Sequence, residues 1–108
     1  MRIDDVMRVI IGAEEINNSR FLGSYNDPIS LGVRRVLGIY GTNYSEIVKF
    51  HVDVDGCYYY DDTRHRMVVY KNSYMLREWL TLWDKKEPVE PIVVEFDLAE
   101  GFVYCEYK

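Results

Sequence analysis

Between Tyr44 and Lys71 apolar and polar residues alternate in three short runs separated by turn-forming residues, the period-two signature of strands buried on one face. The pattern predicts three antiparallel strands joined by two tight turns. Asp55-Gly56 suits the positive φ angles of a type I′ turn, whose twist matches its flanking strands. Centred there, the hairpin sets Val54 opposite Cys57, Asp53 opposite Tyr58, Val52 opposite Tyr59, His51 opposite Tyr60 and Phe50 opposite Asp61. One face then holds Phe50, Val52, Val54, Cys57 and Tyr59, and the other Lys49, His51, Asp53, Tyr58 and Tyr60. A four-residue turn at Asp61-Asp62-Thr63-Arg64 adds His65, Met67 and Val69 to the second face and Arg66, Val68 and Tyr70 to the first.

Elsewhere the period changes to that of helices. Ile3, Val6, Met7, Ile10 and Ala13 fall at helical spacing behind Asp4 and Asp5, although Gly12 blurs the end and a short strand through Val9–Ile11 is an alternative. Asn17 to Asn26 reads as a polar connection. Asp27 is placed to cap a second helix with Pro28 at its first position, followed by Ile29, Val33, Val36, Leu37 and Tyr40 on one stripe and Gly41 as the stop. Gly32 and Gly38 each weaken that helix by roughly 1 kcal/mol relative to alanine, and close approach to a sheet is a reason to keep them. The strongest helical pattern begins at Asn72 or Ser73, with Met75, Leu76, Trp79, Leu80 and Trp83 as its apolar face, each contributing roughly 1.5 to 3 kcal/mol on burial. Pro88 and Pro91 mark an extended linker after it.

A final hairpin follows. Ile92, Val94, Phe96 and Leu98 alternate with polar residues, and a Glu100-Gly101 turn returns the chain through Phe102 to Tyr107. This register sets Leu98 against Val103, Phe96 against Cys105, Val94 against Tyr107, Asp97 against Tyr104 and Glu95 against Glu106. Like charges directly across a strand pair are destabilising by tenths of a kcal/mol, so the pairing of the two glutamates reads as either a tolerated solvated face or a surface that awaits cations. Together the elements predict a single α+β domain over residues 1–108: an antiparallel sheet of about five strands with two to three helices packed mainly on one face.

Composition narrows the class. Hydrophobic residues make up 48% and aromatics 15%, including ten tyrosines, which excludes a disordered chain and favours an amphipathic contact surface. The N-terminal apolar stretch is broken by Arg8, so neither a signal peptide nor a membrane span is expected, and the default location is cytoplasmic. Cys57 and Cys105 lack any CxxC or histidine at metal spacing and read as small buried hydrophobes.

Charge is more informative in its placement than its total. The net charge is −5, and charges cancel over Met1–Gly41 (five basic, five acidic) and over Thr42–Lys86 (seven of each). The whole excess falls in Glu87, Glu90, Glu95, Asp97, Glu100 and Glu106, set against Lys108 alone. Such asymmetry points to a basic partner and disfavours nucleic acid, whose binding needs clustered Lys and Arg. Glu95, Asp97, Tyr104 and Glu106 form the leading candidate contact surface; Asp53, Tyr58, Tyr60, Asp61 and Asp62 form a second. The alternative chemistry is a 2-His-1-carboxylate set or an acid-base site at His51, Asp53 and His65. No phosphate loop, nucleophile motif or complete tetrahedral ligand set accompanies it, so no cofactor or metal is expected and the chain is read as non-enzymatic.

A small, acidic, tyrosine-rich α+β domain without a catalytic motif resembles the bacterial immunity proteins of contact-dependent growth inhibition and related polymorphic toxin systems. The resemblance lies in the general character of the whole chain and assigns no individual residue. It implies a protein that neutralises a cognate toxin, often a nuclease, by covering the toxin's basic active site with carboxylates and tyrosines. Its alternatives are a small enzyme or metal-binding domain on the histidine face and a structural subunit of a larger assembly.

Overall fold

The structure, a computed structural model, describes residues 8–19, 27–38, 50–61, 64–97 and 100–108. Strand β1 (Arg8–Ile11) leads into helix α1 (Ala13–Asn18), followed by α2 (Pro28–Leu37), β2 (Phe50–Val52), β3 (Gly56–Asp61), β4 (Arg66–Asn72), α3 (Tyr74–Asp84), β5 (Ile92–Asp97) and β6 (Phe102–Tyr107). The fold is α+β, as the patterning predicts. Its sheet differs from the expected one in having six strands, in the order β1-β5-β6-β4-β3-β2, and in being mixed.

The parallel element is the join between β4 and β6, which sets Lys71 beside Phe102 and Asn72 beside Val103. The chain leaves β4 through α3, descends β5 and returns along β6, so β6 runs in the same direction as β4. Backbone bonds from Lys71 N–H to the Gly101 carbonyl and from Ser73 N–H to the Val103 carbonyl, both 2.8 Å, close this short ladder. The other pairings among the described residues are antiparallel.

Arg8–Ile11 corrects the helix expected through Ile3 and Ala13; residues 1–7 lie outside the described part. A helical stripe would bury Ile10, whereas a strand buries every second residue, and Val9 and Ile11 are buried while Ile10 is 50% exposed. The second helix starts as expected, with Asp27 accepting the Ser30 N–H at 2.9 Å and Pro28 in the first turn. It stops earlier, at Leu37, because Gly38 takes the left-handed conformation (φ 76°) and its N–H bonds back to Arg34 and Arg35. Tyr40 and Gly41 lie outside the described residues, as do Tyr44 to Lys49.

Helix α2 contacts both β1 and β2, the two edges of the sheet. The sheet must therefore curl around it, with the core in the concavity. Ile29, Val33 and Leu37 of α2 and Leu76, Trp79, Leu80 and Trp83 of α3 meet the inward residues of all six strands there, among them Phe50, Phe96 and Tyr70, whose rings pack edge to face. Both tryptophan N–H groups are satisfied, Trp79 by the Glu90 carbonyl and Trp83 by Ser19 Oγ, each at 2.9 Å. Met75, expected in this core, is 38% exposed instead.

All three hairpins keep the predicted faces and shift the predicted register by two. In the first, Val52 pairs with Cys57 and Phe50 with Tyr59, because the turn centres on Val54-Asp55 rather than Asp55-Gly56. Asp53 Oδ1 accepts the N–H groups of Asp55 and Gly56, both at 2.9 Å, and this side-chain turn decides the centre. Gly56 has no positive φ; it opens β3, where a Cβ would lie 2.7 Å from the Tyr70 carbonyl oxygen. Val54 consequently leaves the core face. In the second hairpin Asp61 pairs with Arg66 and Tyr60 with Met67, so His65 (φ 53°) belongs to the turn and not to a strand. In the third, Phe96 pairs with Val103, Val94 with Cys105 and Ile92 with Tyr107. Asp97 again holds the turn, its Oδ1 taking the Glu100 N–H at 3.0 Å and its carbonyl the Gly101 N–H at 2.9 Å, with Gly101 left-handed (φ 71°).

Candidate functional site

The helices cover the concave face of the sheet, and the other face carries the residues that sequence reasoning selects. On β5 and β6 it presents Glu95, Tyr104 and Glu106; on β3 it presents Tyr58 and Tyr60. Both candidate patches thus belong to one surface. Asp61 ends β3, and its side chain, like the whole of Asp62, lies outside the described residues.

The shifted register changes the electrostatics of this face. Glu95 stands opposite Tyr104, and Glu106 opposite Val93, so the expected confrontation of Glu95 with Glu106 does not occur. Arg8 on β1 is in register with Glu95, and its guanidinium donates to Glu106 Oε1 at 2.7 Å. Arg8, on the edge strand, thus lies beside Glu95 and reaches past β5 to Glu106, and Val93, flanked by Ile10 and Glu106, is a buried residue on this more open face. The Arg8–Glu106 pair is more than half exposed at both ends, which limits its contribution to at most about 1 kcal/mol.

Two of the proposed carboxylates have structural duties. Asp53 and Asp97 anchor the turns described above, and Asp53 Oδ2 also accepts the Tyr58 hydroxyl at 3.0 Å. Burial, and then that hydrogen bond from Tyr58 to Asp53, push the phenol pKa above its ordinary value. Tyr58 is further fixed by stacking on His51, with centroids 5.0 Å apart. Glu95 and Tyr104 remain as an acid and an aromatic hydroxyl, side by side and exposed, neither held by a hydrogen bond or ion pair to a described residue. Phe102 lies next to Tyr104, its ring centroid 6.0 Å away.

Two sets of residues complete this face, one legible from alternation and the other not. Met67 and Val69, 45% and 55% exposed, stand across from Tyr60 and Tyr58 and give the surface an apolar middle. Lys71 joins the row Asp97–Phe102–Lys71 through the parallel pairing. Alternation does place Met67 and Val69 on the tyrosine face, whereas Arg8 and Lys71 become neighbours of the acids only through the order of the strands.

The alternative site does not assemble. His51 sits beside Tyr58 near one end of β3, and His65 lies in the turn beyond the other end. Among the described residues, no three His, Cys, Asp or Glu side chains come together in a group that could hold a metal ion. Cys57 is fully buried and its thiol donates to Asn72 Oδ1 at 3.2 Å; burial pushes its pKa well above the usual thiol range. Burial likewise raises half-buried Cys105 to about 11, so neither thiol is a thiolate at neutral pH. Among the described residues, no helix is long and apolar enough to cross a membrane. No protein-family model, curated protein or solved structure matches the chain.

Proposed function

We propose that the protein is a non-enzymatic inhibitor of a basic protein partner, a cytoplasmic immunity protein that neutralises a cognate nuclease toxin, most simply a ribonuclease, by covering its active site. The observation that carries this reading is the exposed pairing of Glu95 with Tyr104 on a sheet face that continues through Phe102 to Val69, Met67, Tyr58 and Tyr60. Tyrosine and methionine supply rigid or adaptable contact area, and a carboxylate gives charge-assisted bonds to the Arg, Lys and His groups that hold substrate phosphates in a nuclease. Arg8 and Lys71 moderate the acidity, so the partner is met by a mixed surface with an acidic focus at Glu95 and Glu106.

The test is affinity purification of the tagged chain from its host with salt-graded elution, followed by nuclease assay of what is released. A stoichiometric basic partner whose nuclease activity disappears when the protein is added back is the expected result. Recovery of a partner without nuclease activity, or one whose activity is unchanged by the protein, rejects the reading.

A further inference from the structure

Helix α3 has two apolar stripes. Leu76, Trp79, Leu80 and Trp83 are buried in the core, while Tyr74, Met75 and Leu82 face outward, Tyr74 being 75% exposed. Val54, from the β2–β3 turn, and Tyr107, from the end of β6 and 56% exposed, join them in lining a trough of about 560 Å³. Single exposed apolar residues need no explanation, but a gathered set on one helix face does. Three of these five, Val54, Met75 and Tyr107, are ones that the hydrophobic pattern assigns to the core.

We propose that this trough is the interface of a two-fold dimer, its occupant the same trough of a second copy of the chain. Charge selects the occupant. The trough's charged side chains are Arg77 and Glu78, one of each sign, in contrast to the acidic focus on the opposite side of the sheet. A two-fold contact brings a patch against itself, so its charges must be self-complementary, and Arg77 of one copy can meet Glu78 of the other reciprocally. Among the described residues Arg77 pairs with Asp55, at 3.8 Å with both groups well exposed, a weak contact that a partner's carboxylate can replace. Tyrosine, methionine and leucine around a neutral pair match the apolar centre of homodimer interfaces. Because α3 covers the concave side of the sheet, pairing there leaves the Glu95–Tyr104 face open on both copies. The inference is independent of the inhibitor reading.

Sedimentation equilibrium of the full chain from about 1 to about 200 µM tests it, since a dimer must respond to concentration by mass action. The expected result is a mass rising from monomer to twice that value within this range. Leu82→Glu should weaken association at least about tenfold with an unchanged circular dichroism spectrum, as a buried unpaired charge would demand. Arg77→Glu should also weaken it, and the swapped variant R77E/E78R should restore it. A wild-type chain that stays monomeric throughout overturns the proposal, as does a dimer that neither Leu82→Glu nor Met75→Glu affects. A swapped variant that stays monomeric overturns the reciprocal pairing.

Discussion

Asn72 Nδ2 donates to the carbonyl oxygen of Asp53 at 2.8 Å, and to that of Val54 at 3.1 Å, so a buried side chain at the end of β4 latches the turn between β2 and β3. Its own N–H bonds the Asp55 carbonyl at 3.0 Å, and its Oδ1 accepts the Cys57 thiol. Its side-chain amide and its backbone N–H are therefore all committed. Removing the side chain strands one buried thiol and two carbonyls, and a buried group left unsatisfied costs about 1 to 3 kcal/mol. Asn72→Ala should lower folding stability by about 2 kcal/mol in urea titration with an unchanged m value. A loss under about 0.5 kcal/mol would show that water replaces the latch.

Gly32 tests the closeness of α2 to the sheet. A Cβ there would lie 2.5 Å from Cδ1 of Ile11, a fully buried side chain, with Val9 and Glu15 close behind. Alanine gains about 1 kcal/mol of helix propensity but must displace that methyl group, and overpacking costs about 1 to 3 kcal/mol. Gly32→Ala should therefore be net destabilising by about 1 kcal/mol. Adding Ile11→Val removes Cδ1 and should make the double variant more stable than the sum of the two single changes predicts. Simple additivity in thermal unfolding would refute the steric account.

The faces of the strands were legible in sequence because alternation has period two, and each hairpin moved its centre by one residue, which shifts the register by two and leaves the faces intact. The centres themselves were obscured by a competition within the turns. The dipeptides Asp55-Gly56 and Glu100-Gly101 look like turn centres, but Asp53 and Asp97 capture loop N–H groups with their side chains and fix the geometry. Gly56 then serves close approach to Tyr70 rather than a positive φ. That shift removes the expected Glu95–Glu106 confrontation while leaving both glutamates on one face, and the concentration of acids in the last strands is unaffected by it. The β4–β6 pairing was not legible because only two residues of each strand meet, through a connection that no local pattern encodes. Met75, Val54 and Tyr107 satisfy the apolar pattern yet stay outside, since periodicity identifies a stripe but not how much of it a neighbour covers.

Asp27 makes stability depend on pH. The carboxylate caps α2 through the Ser30 N–H and also accepts the Ser30 hydroxyl at 2.6 Å, but burial outweighs these bonds and raises its pKa from 3.8 to about 6. Arg34 and Cys57 are among the titratable groups that feel its charge. Between these two pKa values the native state holds a proton that the unfolded chain has released, so stability falls as pH rises through this window and is level above it. The difference between the two values corresponds to about 3 kcal/mol. Asparagine caps as well as aspartate does, so Asp27→Asn should abolish this slope and be more stable than wild type at pH 7. Parallel pH profiles for the two proteins, from chemical denaturation between pH 4 and 7, would contradict the assignment.

Glu95 and Tyr104 separate recognition from stability. Both are exposed and neither side chain makes a hydrogen bond or ion pair to a described residue, although the Tyr104 ring lies beside that of Phe102, so Glu95→Lys and Tyr104→Ala should each change folding stability by no more than about 0.5 kcal/mol. Asp97→Lys is not an equivalent probe, because it dismantles the turn between β5 and β6. Against a basic partner, Glu95→Lys should mainly slow association, with a deficit that shrinks as salt is raised, since charge at an interface steers encounter. Tyr104→Ala should mainly hasten dissociation and depend little on salt, because what it removes is contact area. Stopped-flow association and surface-based dissociation measurements at low and high salt distinguish the two. If Glu95→Lys leaves the association rate and its salt dependence unchanged, the acidic focus lies outside the interface, and the partner is held by the tyrosines of β3 or by another face.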